Sequence, residues 1–346
     1  MPKISVIIHT ASGDDFMSAQ GLPSYFRALV DNLARQNLKD FELIYVDTFH
    51  GENDLRFMDP IAFAPFRIKH VPVHPEHRYW YDKGYCYIAA AKNTGILYAD
   101  GELCVTCDDA EFFPEYFLQQ YWHHYKEQGR YLHALHKRMK SIQVENGLIK
   151  MPIAGDFYVN DHRWKMVENR DAQVHRHGTL CFAGTSFSIE DAMQLNGFNE
   201  RMDGTKGLED CDFGNRLKLL GRTFTVDRQG WLAIVDHPNY SDIVETGPDG
   251  QQTAMPLHRR RKIENLIAIE NYGMSQCAVE MLEIKANWQP ITKDHLQIIQ
   301  RETLKYRHFD PLGPENADKL ALWAATPTFD LRDQRSQLRR SSDWKW

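Results

Sequence analysis

Long apolar runs are missing from this chain of 346 residues. No stretch approaches the ~20 consecutive apolar residues that a membrane-spanning helix requires, so we expect no transmembrane helix. The opening MPKISVII has too short an apolar run for a secretory signal peptide and lacks a cleavage site. Cysteine is scarce too: six residues are scattered, and we expect reduced thiols in a cytoplasmic protein. Cys104 and Cys107 form a single CVTC where a zinc site would need two such pairs, so we expect both in the core.

Glycine-rich phosphate-binding motifs are also absent. The first predicted strand, 4–8, is followed by HTASGDD, without the Gly-x-Gly-x-x-Gly of a dinucleotide-binding fold. The Gly-x-x-x-x-Gly-Lys-Ser/Thr pattern of a P-loop does not occur either. A phosphate bound by this chain would therefore not be held by glycine amides, and a metal cation would have to neutralise its charge.

An excess of positive charge is missing as well. The net charge is −6, which argues against a protein that binds nucleic acid through its overall charge. Two segments are nevertheless basic, HRRRK (258–262) and RDQRSQLRRSSDWKW (332–346). We interpret them as solvated helix faces or a frayed tail, with peripheral contact to an anionic surface such as membrane headgroups as the alternative.

Strand and helix patterns alternate in the first part of the chain. Continuous apolar runs predict strands buried on both faces, at 4–8, 41–47, 66–73 and 102–107. Apolar residues at helical spacing predict helices at 23–37, 87–101 and 114–129. This alternation predicts an α/β fold with a largely parallel sheet.

The pattern changes after residue 140. Asn-Gly within 141–151 predicts a hairpin, and the polar, aromatic segment 152–179 is expected to be a long functional loop. Beyond about 256 the pattern is helical, which we interpret as a C-terminal extension. The remaining predicted elements are a strand at 180–184, helices at 188–197 and 209–221, and strands at 222–226 and 231–235.

Polar side chains follow the predicted strands at the points where these strands end. Thr10, Asp47 and His74 stand at three ends, and Asp108 with Asp109 at the fourth. Ligands of doubly wound sheets bind beyond the carboxyl ends of the strands, so this placement suits a nucleotide. Adjacent carboxylates repel each other unless a cation or water separates them. The alternatives at 108–109 are thus a solvated turn and a divalent metal site.

A second acidic cluster lies in GFNERMDGTKGLEDCDFGNRL (197–217), where Glu209, Asp210 and Asp212 open a predicted helix. Acids at a helix N-terminus stabilise it by about a few tenths of a kcal/mol each, but this cluster exceeds what capping needs. A carboxylate at a loop-to-helix junction is suited to act as a general base. His237 follows the last predicted strand at the same edge of the sheet, where a structural role is the alternative.

These segments occur in an order that resembles an inverting family-2 glycosyltransferase of the GT-A fold. The resemblance covers roughly residues 1–240 and is carried by ISVIIHT, FELIYVD, IAAAKNTGILYADGELCVTCDDAEFFP, the 197–217 segment and His237. It implies a GT-A-type α/β/α sandwich over 1–255, with a mixed, largely parallel sheet. The nucleotide-sugar half is then 1–110, the acceptor half is 111–255, and 256–346 is the helical C-terminal extension.

The resemblance also implies the reaction and a role for each matching residue. A sugar would move from a nucleotide-diphosphate sugar, expected to be a UDP-sugar, to a hydroxyl of a glycan or another acceptor, with Mn²⁺ or Mg²⁺ as cofactor. Asp210 matches the catalytic base, and Glu209 and Asp212 match acceptor-binding positions. Donor-binding positions are matched by Thr10, Asp47, Lys92, Asn93 and Asp108, and metal ligands by Asp109, Glu111 and His237.

The chain departs from the family pattern at two places. The usual Asp-x-Asp is replaced by Asp108-Asp109-Ala110-Glu111, so either Asp109 is the second acid of the motif or Asp109 and Glu111 form a variant of it. After Asp47, the sequence TFHGEND replaces the family's turn, which leaves the nucleotide base open.

Other classes of protein fit parts of the pattern. A glycoside hydrolase also uses two carboxylates, but it needs neither a nucleotide nor a metal. A non-catalytic GT-A binding module is favoured only by the imperfect metal motif. The basic tail leaves open a nucleic-acid or teichoic-type polymer as acceptor, against the net charge of −6. The sequence also leaves open a homo-oligomer.

Overall fold

In a computed structural model of the protein, most of the sheet, the helices beside it and one C-terminal helix are described. None of the described helices is long and apolar enough to cross a membrane. The described residues are 2–10, 25–47, 60–83, 87–108, 111–139, 143–145, 148–150, 157–160, 162–167, 172–175, 183–203, 209–235, 245–246, 252–253, 297, 314, 317, 321–322 and 325–341.

The first half of the main sheet is parallel. Strand β1 (Ile4–Thr10) lies between β2 (Phe41–Asp47) and β4 (Leu103–Asp108), and β3 (Arg67–Val71) extends the sheet beyond β2. The apolar runs of β1 and β2 are buried almost throughout, as expected for parallel strands covered on both faces. Helices α1 (Tyr25–Ala34) and α2 (Ile88–Tyr98) connect these strands, so the predicted alternation is confirmed.

The second half of the sheet is mixed, and the sheet contains ten strands among the described residues. The spatial order is β10-β12-β6-β11-β4-β1-β2-β3, with β5 paired to β12 and β9 paired to β6. Helix α3 (Phe117–Gln128) packs on this half. Its strands are β5 (Glu111–Phe112), β6 (Tyr131–Met139), β9 (Phe157–Asn160), β10 (Ala172–His175), β11 (Thr185–Ser188) and β12 (Phe224–Val235). Outside this sheet, two separate antiparallel pairs are formed by β7 (Gln143–Glu145) with β8 (Leu148–Lys150) and by β13 (Glu245–Thr246) with β14 (Gln252–Thr253).

Several predicted elements of this half need correction. The segment 152–179 is not one long loop, because it contains β9, a 3-10 turn at His162–Val167 and β10. The strand predicted at 180–184 is found at 185–188, and the two strands predicted at 222–226 and 231–235 form the single strand β12. The predicted hairpin within 141–151 is confirmed by the β7–β8 pairing.

Strand β6 was missed because its letters, YLHALHKRM, do not read as an apolar run. Its buried histidine, His133, is satisfied inside the sheet. The ring of His133 stacks on Phe224 at 4.5 Å between centroids, and its Nδ1 lies 2.8 Å from the hydroxyl of Thr185. Such partners on neighbouring strands allow a strand to bury histidine without an orphaned polar group.

Three further helices in the described part of the chain are α4 (Ile189–Gln194), α5 (Glu209–Leu219) and α6 (Leu331–Arg340). Helix α6 belongs to the predicted C-terminal extension, yet it packs on α2 and buries Leu331 and Leu338. The guanidinium of Arg335 donates to the carbonyl oxygens of Ile96 and Leu97, at 2.8 and 3.0 Å, in the last turn of α2, where carbonyls lack an i+4 amide partner within the helix.

The basic side chains of α6 are engaged by the body of the protein. Arg332 pairs with Glu190 at 2.8 Å, and Arg339 with Asp100 at 3.2 Å. These surface pairs contribute little stability each, about 0–1 kcal/mol. They do show that part of the basic segment 332–346 faces protein carboxylates, and contact of this segment with an anionic surface stays a prediction.

Gly95 marks the closest approach of α2 to β1. A Cβ at this position would overlap Cγ2 of Ile7, so we expect Gly95→Ala to lower the free energy of unfolding by about 1–3 kcal/mol through overpacking. Urea denaturation measures this change. The control, the double variant Gly95→Ala with Ile7→Ala, removes the clashing methyl group. Additive losses in that double variant would contradict the overlap.

Candidate functional site

The carboxyl ends of the parallel strands meet at one edge of the sheet. In the strand registers, Thr10 is opposite Asp47 and His9 is opposite Asp108. Thr10 and Asp47 are buried, whereas the side chain of Asp108 is 56% exposed and lies 4.0 Å from the ring of His9. The structure therefore brings together three of the predicted donor-binding residues, as the sequence pattern required.

Asp47 has a partner that the sequence did not indicate. Its Oδ2 lies 2.9 Å from Nε2 of His70 on the neighbouring strand β3, and both side chains are buried. The His70 ring also lies near the rings of Phe26 and Tyr45, at 6.3 and 6.0 Å between centroids. A single histidine in the predicted strand 66–73 carries no such signal, because its partner lies 23 residues earlier in the chain.

Lys92 and Glu209 form a buried ion pair that joins α2 to the start of α5. Lys92 Nζ lies 2.9 Å from Glu209 Oε1, and the two residues are 4% and 5% exposed. Helix α2 carries Lys92 and the first residue of α5 is Glu209, so the pair spans 117 positions of sequence. The Lys92 ammonium also lies 5.0 Å from the ring centroid of Phe198.

Neighbouring charges keep both members of this pair ionised. Burial alone would lower the pKa of Lys92, but the carboxylates of Glu209, Asp210 and Asp108 raise it above its ordinary value. Burial alone would raise the pKa of Glu209, but Lys92 and, to a smaller extent, His9 lower it below its ordinary value. The cluster thus contains a cation surrounded by carboxylates from α5 and from the end of β4.

Asp210 lies beside this pair. It is the second residue of α5 and is 7% exposed, and its charge acts on Lys92. Asp108 acts on the same ammonium from the strand end. The predicted base and the predicted donor edge therefore lie close to one buried cation, an arrangement expected of a site that handles developing charge.

Two predicted site residues have structural partners. Asn93 donates both amide hydrogens, to the carbonyl of Phe198 and to the carboxylate of Glu200, each at 2.8 Å, and its Oδ1 accepts from the Phe198 amide. Asp212 is fully buried and ion-paired with Arg216 at 2.6 Å. These contacts favour structural roles, and donor binding by Asn93 and acceptor binding by Asp212 stay predictions.

The predicted metal ligands are only partly described. Glu111 is buried, and its Oε2 accepts a hydrogen bond from the backbone N–H of Asp108 at 3.0 Å. One carboxylate oxygen of Glu111 therefore already has a structural partner at the end of β4. Asp109 and His237 lie outside the described residues. Within the described ranges, no group of three or more histidine, cysteine, aspartate or glutamate side chains could hold a metal ion.

The comparisons with known proteins bear on the fold. No protein-family model matches the chain, and a search of curated proteins finds no match either. The chain is similar to the solved structure of S. aureus TarS 1–349 in complex with UDP-GlcNAc, with a TM-score of 0.51 and 12% identity over 98% of this chain and 91% of that one. The same fragment in complex with UDP gives a TM-score of 0.48 and 14% identity over the same shares. At 12% identity the likeness shows the fold alone, an α/β fold of the glycosyltransferase type, and confirms the predicted fold class.

Proposed function

We propose that the protein is a glycosyltransferase that moves a sugar from a nucleotide-diphosphate sugar to an acceptor hydroxyl. The observation that carries this proposal is the cluster of Lys92, Glu209 and Asp210 beside the strand ends of a glycosyltransferase-type fold. A UDP-sugar is the donor we propose, because the similar TarS fragment was solved in complex with UDP-GlcNAc and with UDP.

In the proposed reaction, Asp210 is the general base of a single displacement. Its carboxylate accepts the proton of the acceptor hydroxyl as that oxygen forms a bond to the anomeric carbon. The bond between this carbon and the diphosphate oxygen breaks, the diphosphate leaves with the electron pair, and the configuration at the anomeric carbon inverts. Help from a general base typically accelerates a reaction by about 10²–10⁴-fold.

The other residues of the cluster are proposed to hold the substrates and the base in place. Thr10 and Asp47 face the nucleotide from the ends of β1 and β2. The Lys92–Glu209 pair fixes the first turn of α5 against α2, so that Asp210 is presented beside the donor edge. Glu209, once paired, keeps acceptor capacity on its second oxygen for a hydroxyl.

A divalent metal, Mn²⁺ or Mg²⁺, is part of the proposal. The exposed carboxylate of Asp108 at the strand end is a suitable oxygen donor, and Asp109 and His237 would complete the set. Glu111 is a weaker candidate for a metal ligand, since one of its oxygens accepts a hydrogen bond from the Asp108 amide. Such a metal would stabilise negative charge on the departing diphosphate as a Lewis acid.

The proposal is tested by nucleotide binding and by donor turnover. We expect UDP and UDP-GlcNAc to raise the melting temperature more than ADP or GDP does, because a ligand of the folded state stabilises it by mass action. Mn²⁺-dependent hydrolysis of a UDP-sugar would separate an enzyme from a non-catalytic binding module. Absence of any nucleotide binding would contradict the proposed function.

We expect Asp109→Ala to weaken UDP binding far more in Mn²⁺ than in EDTA, because adjacent carboxylates need a cation to approach a diphosphate. Isothermal titration calorimetry of wild type and variant in both buffers measures this difference. Asp82→Ala, which removes an exposed carboxylate that pairs only locally with Arg78, is the control. Equal UDP affinity of the wild type in Mn²⁺ and EDTA would contradict metal dependence while leaving the transferase proposal in place.

A further inference from the structure

A buried histidine joins the C-terminal helix to the segment that leads into α5. His77 ends a short 3-10 turn, Pro75–His77, and is 1% exposed. Its Nδ1 contacts the carboxylate of Glu200, and its Nε2 lies 3.1 Å from Oε1 of Gln334 on α6. Gln334 and Glu200 are buried as well, so the three polar side chains depend on one another for hydrogen bonds.

The hydrogen-bond pattern fixes which atoms donate. The Nε2 amide of Gln334 contacts the carboxylate of Glu76, which can only accept, so the Oε1 of Gln334 faces His77. On the other side, Glu200 Oε1 accepts from the amide of Asn93 at 2.8 Å. Both ring nitrogens of His77 therefore face acceptor oxygens, and both can form hydrogen bonds only when both carry a hydrogen.

Glu200 links this histidine to the candidate site. Its carboxylate binds Asn93, the neighbour of Lys92 in α2, and its backbone carbonyl accepts from the indole of Trp80 at 2.8 Å. Three residues later, the buried carboxylate of Asp203 accepts from the first amides of α2, those of Ala89 and Ala90, at 2.8 and 2.9 Å. Residues 199–203 are therefore fastened to the helix that carries Lys92.

The start of helix α6 also contacts Asn196, three positions before residues 199–203. The amide of Leu331 donates to Asn196 Oδ1 at 2.7 Å, and Asn196 Nδ2 donates to the carbonyl of Phe329 at 2.8 Å. The ring of Phe329 then covers His77 with 4.3 Å between the centroids. Helix α6 thus contacts Asn196 directly and is linked to Glu200 through His77.

The carboxylate of Glu200 contacts the ring of His77, whereas the other titratable groups near this ring are neutral or bound elsewhere. His74 lies 5.5 Å away between ring centroids, and burial first and His77 second lower its pKa to about 4, so it is neutral at pH 7. Glu76 is engaged by Gln334. Glu200 is the remaining carboxylate in contact with the ring.

We propose that His77 and Gln334 are positioning residues of the transfer reaction. In this proposal His77 is doubly protonated and is held by Gln334 of α6. The charged ring fixes Glu200, and Glu200, through Asn93, keeps Lys92 in place against Glu209. This inference rests on the proposed function, because the transfer reaction is where Lys92 and Glu209 act. Its structural half, the charge state of His77 and its dependence on α6, holds or fails independently of any activity.

The experiment compares Gln334→Met with Gln337→Met in the full chain. Both changes replace a glutamine of α6 by a residue of similar length, but among the described residues the hydrogen bond of the Gln337 side chain goes to the exposed Asp333 on its own helix. The first readout is ¹⁵N NMR of histidine side chains, with the His77 signals assigned by their loss in His77→Gln. We expect two protonated ring nitrogens in the wild type and in Gln337→Met, and a single protonated nitrogen in Gln334→Met.

The second readout is turnover of UDP-GlcNAc together with UDP affinity. Because Gln334 acts on Lys92 and Glu209 only through other packed residues, we expect Gln334→Met to lower kcat by about tenfold with UDP affinity unchanged, and Gln337→Met to leave both unchanged. A neutral His77 in the wild type overturns the proposal, as does an unchanged kcat in folded Gln334→Met or an equal loss in both variants. Two protonated nitrogens in a wild type without donor turnover would overturn the proposed function and leave the charge state of His77 established. If Gln334→Met does not fold, Gln334→Asn serves in its place, since its shorter amide stays polar but does not reach His77.

Discussion

Asp210→Asn is expected to reduce sugar transfer by about 10²–10⁴-fold while UDP still binds. The change keeps the size and shape of the side chain but removes a proton acceptor at pH 7. Nucleotide binding should survive, because the proposed contacts of the nucleotide lie at the ends of β1 and β2, whereas Asp210 lies in the first turn of α5. Steady-state turnover of a UDP-sugar and calorimetric UDP affinity measure the two effects.

Asp212→Asn is the matched control, for which the structure predicts a loss of stability and not a loss of turnover. Asp212 is fully buried and paired with Arg216, which also donates to the carbonyls of Leu195 and Gly197 at 2.8 and 2.9 Å. Removing its charge should lower the melting temperature and leave turnover per folded molecule nearly unchanged. Near-normal turnover in Asp210→Asn would exclude Asp210 as the base and make Glu209 the next candidate.

The strand ends illustrate what the sequence could predict. Thr10, Asp47 and Asp108 each follow an apolar run, and apolar runs separated by helices predict parallel strands whose carboxyl ends share one edge. The structure places these residues side by side, in the registers of β1 with β2 and β4. The sequence pattern and this topological rule are sufficient here, because the placement of the strand ends does not depend on side-chain geometry.

The partners of the site residues could not be predicted in the same way. The resemblance assigns Lys92 to the donor and Glu209 to the acceptor, yet the structure pairs them across 117 positions of sequence. It also assigns Asn93 to the donor, but the amide of Asn93 binds Phe198 and Glu200. A sequence shows which residues can ionise or donate, whereas the packing of α2 against the 196–203 segment decides which of them meet.

The contacts of helix α6 could not be predicted from the sequence either. The basic residues in the α6 sequence LRDQRSQLRR predict a helix face exposed to solvent. Arg335 is instead 9% exposed and satisfies the last carbonyls of α2, some 240 positions earlier in sequence. A guanidinium with several donors can cap a helix C-terminus as well as meet solvent, and only the tertiary structure distinguishes the two.

Lys92→Met is expected to have the largest effect on stability. The change keeps most of the side-chain volume but leaves Glu209 as a buried carboxylate without its cation, 2.9 Å from where the ammonium had been. Breaking a buried pair by removing one partner typically costs about 3–5 kcal/mol, because the other charge stays buried and uncompensated. Urea denaturation should therefore show a midpoint shift of that size, and sugar transfer should be lost with it.

The double variant Lys92→Met with Glu209→Gln separates the structural part of this effect from the chemical part. Replacing both charges removes the uncompensated carboxylate, so we expect most of the stability to return. Transfer should not return, because the carboxylate proposed to face the acceptor is gone and the first turn of α5 is no longer held by an ion pair. Glu209→Gln alone leaves a buried ammonium near Asp210 and Asp108, whose charges compensate it in part, so it should cost less stability than Lys92→Met. Transfer near the wild-type rate in the double variant would show that the pair only fastens α2 to α5, and the reaction would then depend on Asp210 without its neighbour.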